Sequence, residues 1–175
     1  MVVTGMAQTI PLIPAEEHQR RLRRAQSNQA EIWCLLDNVL DPEVPALSLW
    51  DLGVLQDVSM DKNSVIVTLT PTYSGCPAMG VMSEDIESAL NAAGFNEVSI
   101  VTQLTPAWTT DWLSDHARRK LKGYGIAPPA ETAGIRCPHC SAENVQRLSQ
   151  FASTACKAMY RCGSCAEVFD YFKPI

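Results

Sequence analysis

Two C-x-x-C knuckles near the C-terminus restrict the possible folds of this 175-residue chain more than any other feature. Cys137-Pro-His-Cys140 and Cys162-Gly-Ser-Cys165 are separated by 21 residues. Two such knuckles can supply four thiolates to a tetrahedral structural zinc, although this spacer slightly exceeds the usual range of about 15–20 residues. Iron in a rubredoxin-like site, or an iron–sulfur cluster, is the alternative occupant of a four-cysteine set.

The segment that carries the knuckles has the pattern of a small β domain. Strand-like pieces lie at 144–151, 158–161 and 168–172. A segment of about 40 residues buries too little apolar surface to fold alone, so a bound metal would supply most of its stability. We therefore predict a zinc β-ribbon over 137–175, in which Cys137, Cys140, Cys162 and Cys165 hold zinc and His139 is a bystander.

A further cysteine, Cys156, lies between the knuckles and is left over from this ligand set. It is interpreted either as an inert filler on a strand or as an accessory thiol near the zinc. Lys157 beside it would favour the thiolate if the side chain is exposed.

Charge and cysteine usage exclude several classes of protein. The net charge of −5 disfavours nucleic-acid binding. The sequence contains no uncharged apolar run of about 18 residues and no basic-then-apolar secretory signal. Paired knuckles in such a chain indicate metal binding rather than disulfides. We expect a cytoplasmic protein without nucleic-acid or membrane partners.

The hydrophobic pattern before the ribbon predicts an α+β domain over 29–125. Apolar residues recur at helical spacing in 29–40 and 78–93, whereas 54–60, 65–70 and 98–104 are typical of strands. A capping serine and two glycines bound a further helix over 114–124. A turn at 61–64 makes the first two strands a hairpin, and the helix after the second strand makes the third parallel to it. The prediction is a small mixed three-stranded sheet with flanking helices, preceded by a flexible extension or partly helical arm over 1–28 and followed by a linker over 126–136.

Three local features add predictions of their own. The basic run Arg20–Arg24 in the extension is a solvated helix face more often than a docking patch. Trp108 and Trp112 are four residues apart, and we expect them in the core rather than exposed for a partner. Ser114 is a reasonable cap for the helix that follows it.

The segment T-P-T-Y-S-G-C-P at 70–77 connects the second strand to the longest helix. Pro77 suits the first turn of that helix, which would make Cys76 the N-cap or its neighbour. Unpaired N–H groups and the helix dipole at this position favour a thiolate. We consider two interpretations equally good, a reactive thiol and a small buried cysteine that fills a gap beside the sheet.

The segment D-P-E-V-P at 41–45 places two carboxylates close together. Asp41 and Glu43 could bind a cation or accept hydrogen bonds from backbone N–H groups, and the second role is the commoner one for Asp before Pro.

Six segments in combination resemble a known family. D-P-E-V-P (41–45), D-L-G (51–53), T-P-T-Y-S-G-C-P (70–77) and A-W-T-T-D-W (107–112) resemble the SufT-like iron–sulfur assembly domain. The ribbon, with S-T-A-C-K (153–157) and F-D-Y-F-K (169–173), narrows the resemblance to the PaaD family, the D subunits of bacterial phenylacetyl-CoA epoxidase systems of aerobic phenylacetate degradation. The resemblance runs from about residue 29 to the C-terminus.

The resemblance implies a maturation factor for the metal centres of the multicomponent epoxidase rather than an epoxidation catalyst. It implies that Cys76 handles transient iron or an iron–sulfur cluster, flanked by Asp41 and Glu43. The oxygenase and reductase components would be the partners, with the structural zinc ribbon for docking. A single cysteine cannot supply a full cluster ligand set, so a homodimer, a client protein or small thiols would provide the rest.

The alternative is a thiol-dependent enzyme that acts on a CoA thioester through Cys76. A nucleophilic cysteine normally requires a histidine base nearby. The three histidines are His18 in the N-terminal extension, His116 in a polar helix and His139 in the first knuckle, and none is well placed for that role. The sequence therefore favours the non-catalytic interpretation.

Overall fold

The computed structural model describes residues 14–130 and 134–175, which form two sheets with helices around the first. The first sheet has the order β1-β2-β3, and the second has the order β4-β7-β6-β5. The elements in chain order are α1 (Ala15–Gln26), α2 (Ala30–Leu36), α3 (Leu49–Leu52), β1 (Leu55–Asp61), β2 (Ser64–Leu69), α4 (Met79–Ala92), β3 (Val98–Thr102), a short 3₁₀ helix (Thr110–Trp112), α5 (Asp115–Gly123), β4 (Ile126–Ala127), β5 (Val145–Ser149), β6 (Lys157–Cys162) and β7 (Val168–Phe172).

The first sheet is mixed, as predicted. Strands β1 and β2 form an antiparallel hairpin, and β2 pairs with β3 in parallel. Residues in β2 alternate between buried and half-buried positions, because successive side chains point to opposite faces of a sheet. Helix α4 makes the crossover and buries one stripe of apolar side chains, Met82, Ile86 and Leu90. The predicted α+β fold is confirmed.

Residues 15–26, which belong to the segment predicted as a flexible extension or partly helical arm, form helix α1. Arg20 is 1% exposed, donates to the carboxylate of Glu17 at 2.6 Å, and donates to the carbonyl oxygens of Trp50 and Leu55 at 3.0 and 3.1 Å. Its guanidinium lies 3.8 Å from the centre of the Trp50 ring. The prediction of a solvated basic face is wrong for Arg20, because the domain supplies acceptors for its charge. The first 13 residues of the predicted extension lie outside the described residues.

The segments D-L-G and A-W-T-T-D-W contact each other. Gly53 ends α3 with φ +82°, and a Cβ there would lie 2.9 Å from Cβ of Trp112. The indole N–H of Trp108 donates to the carbonyl of Leu52 at 3.0 Å. Asp51 pairs with Lys120 of α5 at 2.9 Å. These contacts place the two tryptophans in the core, as predicted, and fix α5 against α3.

The second sheet is the ribbon, and it recruits a strand from the predicted linker. Ile126 and Ala127, the first residues of that linker, form β4 and pair in parallel with β7. This short strand comes two residues after α5 (Gly125 has φ +86°), so the chain passes directly from helix into the ribbon sheet. The linker prediction missed it because two residues carry no periodic signal.

The ribbon packs on the N-terminal domain through a shared core. Phe172 of β7 is 1% exposed and belongs to the buried cluster of the N-terminal domain, together with Ile126 and Cys156. The Phe172 ring lies 6.0 Å from that of Trp108, and the backbone N–H of Thr110 donates to the carbonyl of Ile175 at 3.2 Å. Among the described helices, none is long and apolar enough to cross a bilayer.

Candidate metal sites

The four knuckle cysteines converge at one end of the ribbon. Their sulfur atoms all lie within 4.8 Å of one another, and the Cys137–Cys165 and Cys140–Cys162 sulfur pairs are separated by 3.7 and 3.6 Å. A Zn–S bond of about 2.3 Å in tetrahedral geometry requires sulfurs about 3.8 Å apart. The spacing therefore fits zinc, and four protein ligands leave no position open for a substrate.

Backbone groups of the second knuckle stabilise the anionic sulfur of Cys162. The N–H groups of Cys165 and Ser164 point at this sulfur, at 3.5 and 3.4 Å, and they lower the pKa of Cys162 to about 6. Hydrogen bonds to the charged form favour it. Metal ligation requires the thiolate, so the knuckle backbone favours binding.

The loop between β2 and α4 presents Cys76 at the start of the helix. The N–H of Cys76 donates to the carbonyl of Tyr73 at 3.1 Å, and its sulfur accepts a hydrogen bond from the N–H of Ala78. Ala78 is the N-cap, so Cys76 lies two residues before the N-cap and Pro77 precedes the first turn. The side chain is half-buried and packs against the core of the N-terminal domain.

The sequence predicts that this position favours a thiolate, but in the structure the pKa of Cys76 is raised. Burial raises the pKa of the Cys76 thiol, and the N–H of Ala78 offsets this only in part. Repulsion from Glu43, Asp41 and Cys156 raises the pKa further. Burial and the acidic neighbours outweigh the N–H of Ala78, so the surroundings of Cys76 favour the neutral thiol over the thiolate.

The D-P-E-V-P turn lies beside this thiol. Asp41 is 3% exposed, and its Oδ1 accepts from the N–H groups of Glu43 and Val44 at 2.9 and 2.6 Å. Burial raises the pKa of both carboxyls, and the charge of Lys157 lowers both. Asp41 thus shapes the turn through one oxygen, which is the commoner role of Asp before Pro, while the turn also lies next to Cys76.

The ribbon contributes two further residues to this neighbourhood. Cys156 is 4% exposed and belongs to the core cluster against which Cys76 packs, and its charge acts on the pKa of Cys76. Cys156 therefore shares the neighbourhood of Cys76 and lies outside the four-cysteine group. Burial raises the pKa of Cys156, and the charge of Glu43 raises it as well. Lys157 is buried and pairs with Asp170 at 3.4 Å. We refer to Cys76, Cys156, Asp41, Glu43 and Lys157 as the Cys76 cluster.

The Cys76 cluster is looser than the zinc site. Within the described part of the chain, the four knuckle cysteines are the only group of three or more metal-ligating residues whose ligand atoms all lie within 4.8 Å of one another. The groups that act on the Cys76 thiol are an N–H, two carboxyls and a second thiol. Soft sulfur and hard oxygen donors in one neighbourhood are ligands that iron accepts.

Sequence reasoning missed Lys157 and Tyr73 as members of this neighbourhood. Tyr73 is acted on by Cys76, Glu43 and Cys156, although burial is the main reason why its pKa is raised. Both residues lie within the segments T-P-T-Y-S-G-C-P and S-T-A-C-K, next to or near a cysteine. The position of these two residues within those segments was the available signal in the sequence. No local pattern predicts that residue 157 lies near residue 43 in the fold.

Two family models match the chain, one for each sheet. Residues 29–103 match a family described as an iron–sulfur cluster assembly protein. Residues 124–173 match a family described as the PaaD zinc beta ribbon domain, and this match includes β4.

Comparison with known proteins finds relatives that cover most of this chain or about half of it. A protein of Escherichia coli (strain K12), provisionally named as the D subunit of 1,2-phenylacetyl-CoA epoxidase, is 45% identical over 90% of this chain and 99% of its own length. An "Fe-S protein maturation auxiliary factor" of Porphyromonas gingivalis is 32% identical over 53% of this chain and 90% of its own. A solved structure of a domain of unknown function, DUF59, from Bacillus anthracis covers 59% of this chain and 95% of its own, at 26% identity and a TM-score of 0.49. The chain therefore belongs to the PaaD family, the D subunits of phenylacetyl-CoA epoxidase systems, with an iron–sulfur cluster assembly domain followed by a zinc β-ribbon.

Proposed function

We propose that this protein is a non-catalytic maturation factor for a cytoplasmic phenylacetyl-CoA epoxidase, and that it carries iron or an iron–sulfur cluster as cargo at Cys76. The observation that carries the proposal is the position of the Cys76 thiol, half-buried in the loop before α4 and next to Asp41 and Glu43. The relatives named as Fe-S maturation factors and as an epoxidase subunit support the same role.

The chemistry of the donors supports transient binding. A thiol that is protonated in the empty site releases its proton to solvent when iron binds, and it can take one up again when iron leaves. A ligand set of one sulfur and hard oxygens is weaker than a closed four-thiolate site. Weak binding suits a carrier, because the cargo must pass to the client.

The ribbon supplies a docking surface in this proposal. Leu148 of β5 and Phe151 in the loop after it are 50% and 60% exposed, and exposed apolar side chains on a protein surface commonly mark interaction sites. The oxygenase or reductase component of the epoxidase would cover them. A structural zinc in the four-cysteine site would hold β5 and β6 in place for this contact.

The test is cargo transfer under anaerobic conditions. The zinc-loaded protein is reconstituted with Fe²⁺ and sulfide and mixed with metal-free epoxidase components, and iron in each component is measured after separation. We expect transfer from the wild type and its loss in Cys76→Ala. The matched control is Cys34→Ala, since Cys34 is an exposed cysteine on α2, and it should transfer normally. Wild-type rates of transfer from Cys76→Ala would contradict the proposal.

A further inference from the structure

The ribbon places a second thiol in the core that supports Cys76. Cys156 is 4% exposed and lies in the buried cluster of the N-terminal domain, and Cys76 packs against the same cluster. The two cysteines are 80 residues apart in sequence and come from different domains, Cys76 from the loop before α4 and Cys156 from the turn before β6. We propose that Cys156 is the second sulfur ligand of the iron cargo, so that the ribbon completes the Cys76 site; this inference rests on the proposed function above.

The contacts of Cys156 hold it in place and give its sulfur a hydrogen-bonding partner. Its carbonyl accepts from the N–H of Lys173 at 2.9 Å, and the N–H of Lys157 donates to the carbonyl of Thr154 at 3.3 Å, which closes a tight turn. The sulfur lies 3.0 Å from the hydroxyl oxygen of Thr154, a contact that favours the thiolate. A cysteine that only fills space in a core needs neither an anchored turn nor a hydroxyl partner.

The carboxyls around the two thiols favour the binding of a cation. Glu43 acts on both thiols, and Cys156 and Asp41 act on Cys76 as well. Lys157 acts on Asp41, Glu43 and Cys156, and its ammonium already pairs with Asp170 at 3.4 Å. Fe²⁺ bound by both sulfurs would displace two thiol protons to solvent without a change in the oxidation state of iron, and would neutralise this acidic group.

A second sulfur ligand would also explain how the cargo remains bound during its transfer to the client. A biological iron–sulfur cluster is commonly held by four cysteines. A carrier that supplies two leaves two positions for the client or for a second copy of the chain, so the cargo stays ligated throughout transfer. With Cys76 alone, three positions would depend on outside ligands.

The test uses the zinc-loaded, full-length protein and Fe²⁺ as the probe, without oxygen. Iron K-edge absorption counts the sulfurs bound to iron and does not detect zinc. We expect two sulfurs per iron in the wild type and in Cys34→Ser, and one in Cys156→Ser. Iron affinity should fall at least tenfold in Cys156→Ser. Loss of a residue that only hydrogen-bonds to a metal ligand already costs about 10–100-fold in metal affinity, and loss of a ligand itself should cost no less. Zinc content should be unchanged in all variants.

The outcomes separate this inference from the proposed function. Loss of iron binding in Cys76→Ser, combined with wild-type affinity and sulfur number in Cys156→Ser, would overturn the inference and leave the proposed function standing. Failure of the wild type to bind iron would overturn both.

A second measurement uses only the wild type, so its result does not depend on whether the Cys156 variant folds. Phenylarsine oxide condenses with two nearby thiols. The product has one arsenic atom bonded to both sulfurs, and one water molecule is released. In the wild type, without iron, we expect a bridge between the peptides that contain Cys76 and Cys156, and prior loading with Fe²⁺ should prevent it. Arsenic found on Cys76 without Cys156 would overturn the inference.

Discussion

Replacement of Phe172 by alanine should destabilise both domains, because this ribbon residue lies in the core of the other domain. The side chain is 1% exposed. Withdrawing it from water contributes about 1.5–3 kcal/mol, and its contact with the Trp108 ring at 6.0 Å adds about 0.5–1.5 kcal/mol. With the cavity left behind, we expect a loss of about 3–5 kcal/mol in the free energy of unfolding. For a chain of this length, the melting temperature would fall by about 6–20 °C.

The assay follows urea unfolding with two probes that report on different sheets. All four tryptophans precede the ribbon, so their fluorescence reports on the N-terminal domain, while zinc release to a coloured chelator reports on the ribbon. We expect the two transitions to coincide in the wild type, and both to move to lower urea in Phe172→Ala.

The control for this prediction is Phe151→Ala, which removes the same side chain from a ribbon position that is 60% exposed. Phe151 contacts the ammonium of Lys173 at 4.5 Å, so its loss should cost no more than about 1 kcal/mol. The reasoning is refuted if Phe172→Ala costs no more than Phe151→Ala. It is also refuted if zinc leaves the wild type at urea concentrations that do not change its fluorescence.

Two further substitutions test the packing of the N-terminal domain, both measured by urea unfolding. Arg20→Met should cost up to about 3–5 kcal/mol, because the carboxylate of Glu17, 1% exposed, keeps only the half-exposed Arg21 as its ion-pair partner. Arg23→Met, on the exposed side of the same helix, should change the stability by less than about 0.5 kcal/mol, and equal effects of the two would show that α1 is not docked. Gly53→Ala should cost more than about 1 kcal/mol, since φ is +82° and the new Cβ would meet Trp112. Gly80→Ala, in α4 with no atom within 4 Å of the new Cβ, should stabilise by about 0.4–1 kcal/mol, and an effect of the same sign at both positions would contradict this account.

The sheet and the zinc site could be predicted from the sequence because their signals are local. The hairpin follows from alternation on either side of a turn, and the parallel third strand follows from the helix that precedes it. The convergence of the four cysteines follows from two knuckles whose spacing is itself the signal. Ser114 caps α5 as predicted, since its hydroxyl accepts from the N–H of Ala117 at 3.0 Å.

The features that the sequence does not predict depend on tertiary contacts. Arg20 belongs to a run of arginines that looks solvated, and its burial depends on carbonyls 30 and 35 residues away. The helix terminus alone would lower the pKa of Cys76, but burial and acidic groups from the rest of the fold reverse its direction. The packing of the ribbon on the N-terminal domain brings Cys156 into the cluster against which Cys76 packs. No spacing rule connects residue 156 with residue 76.

The strand β6 connects the four-cysteine group with the proposed iron site, which would give a bound zinc a role beyond local stability. This strand begins at Lys157, next to Cys156, and ends at Cys162 of the four-cysteine group. At about 3.3 Å per residue, five steps along a strand span about 17 Å, so a zinc held there would be too far away to touch iron at Cys156. It would nevertheless fix one end of β6, and the packing of Phe172 fixes the neighbouring strand β7. Since Cys156 is held between these two anchors, the ribbon acts as a rigid arm that positions a thiol in the N-terminal domain. A ribbon used only for docking would have no need to bury its side chains there.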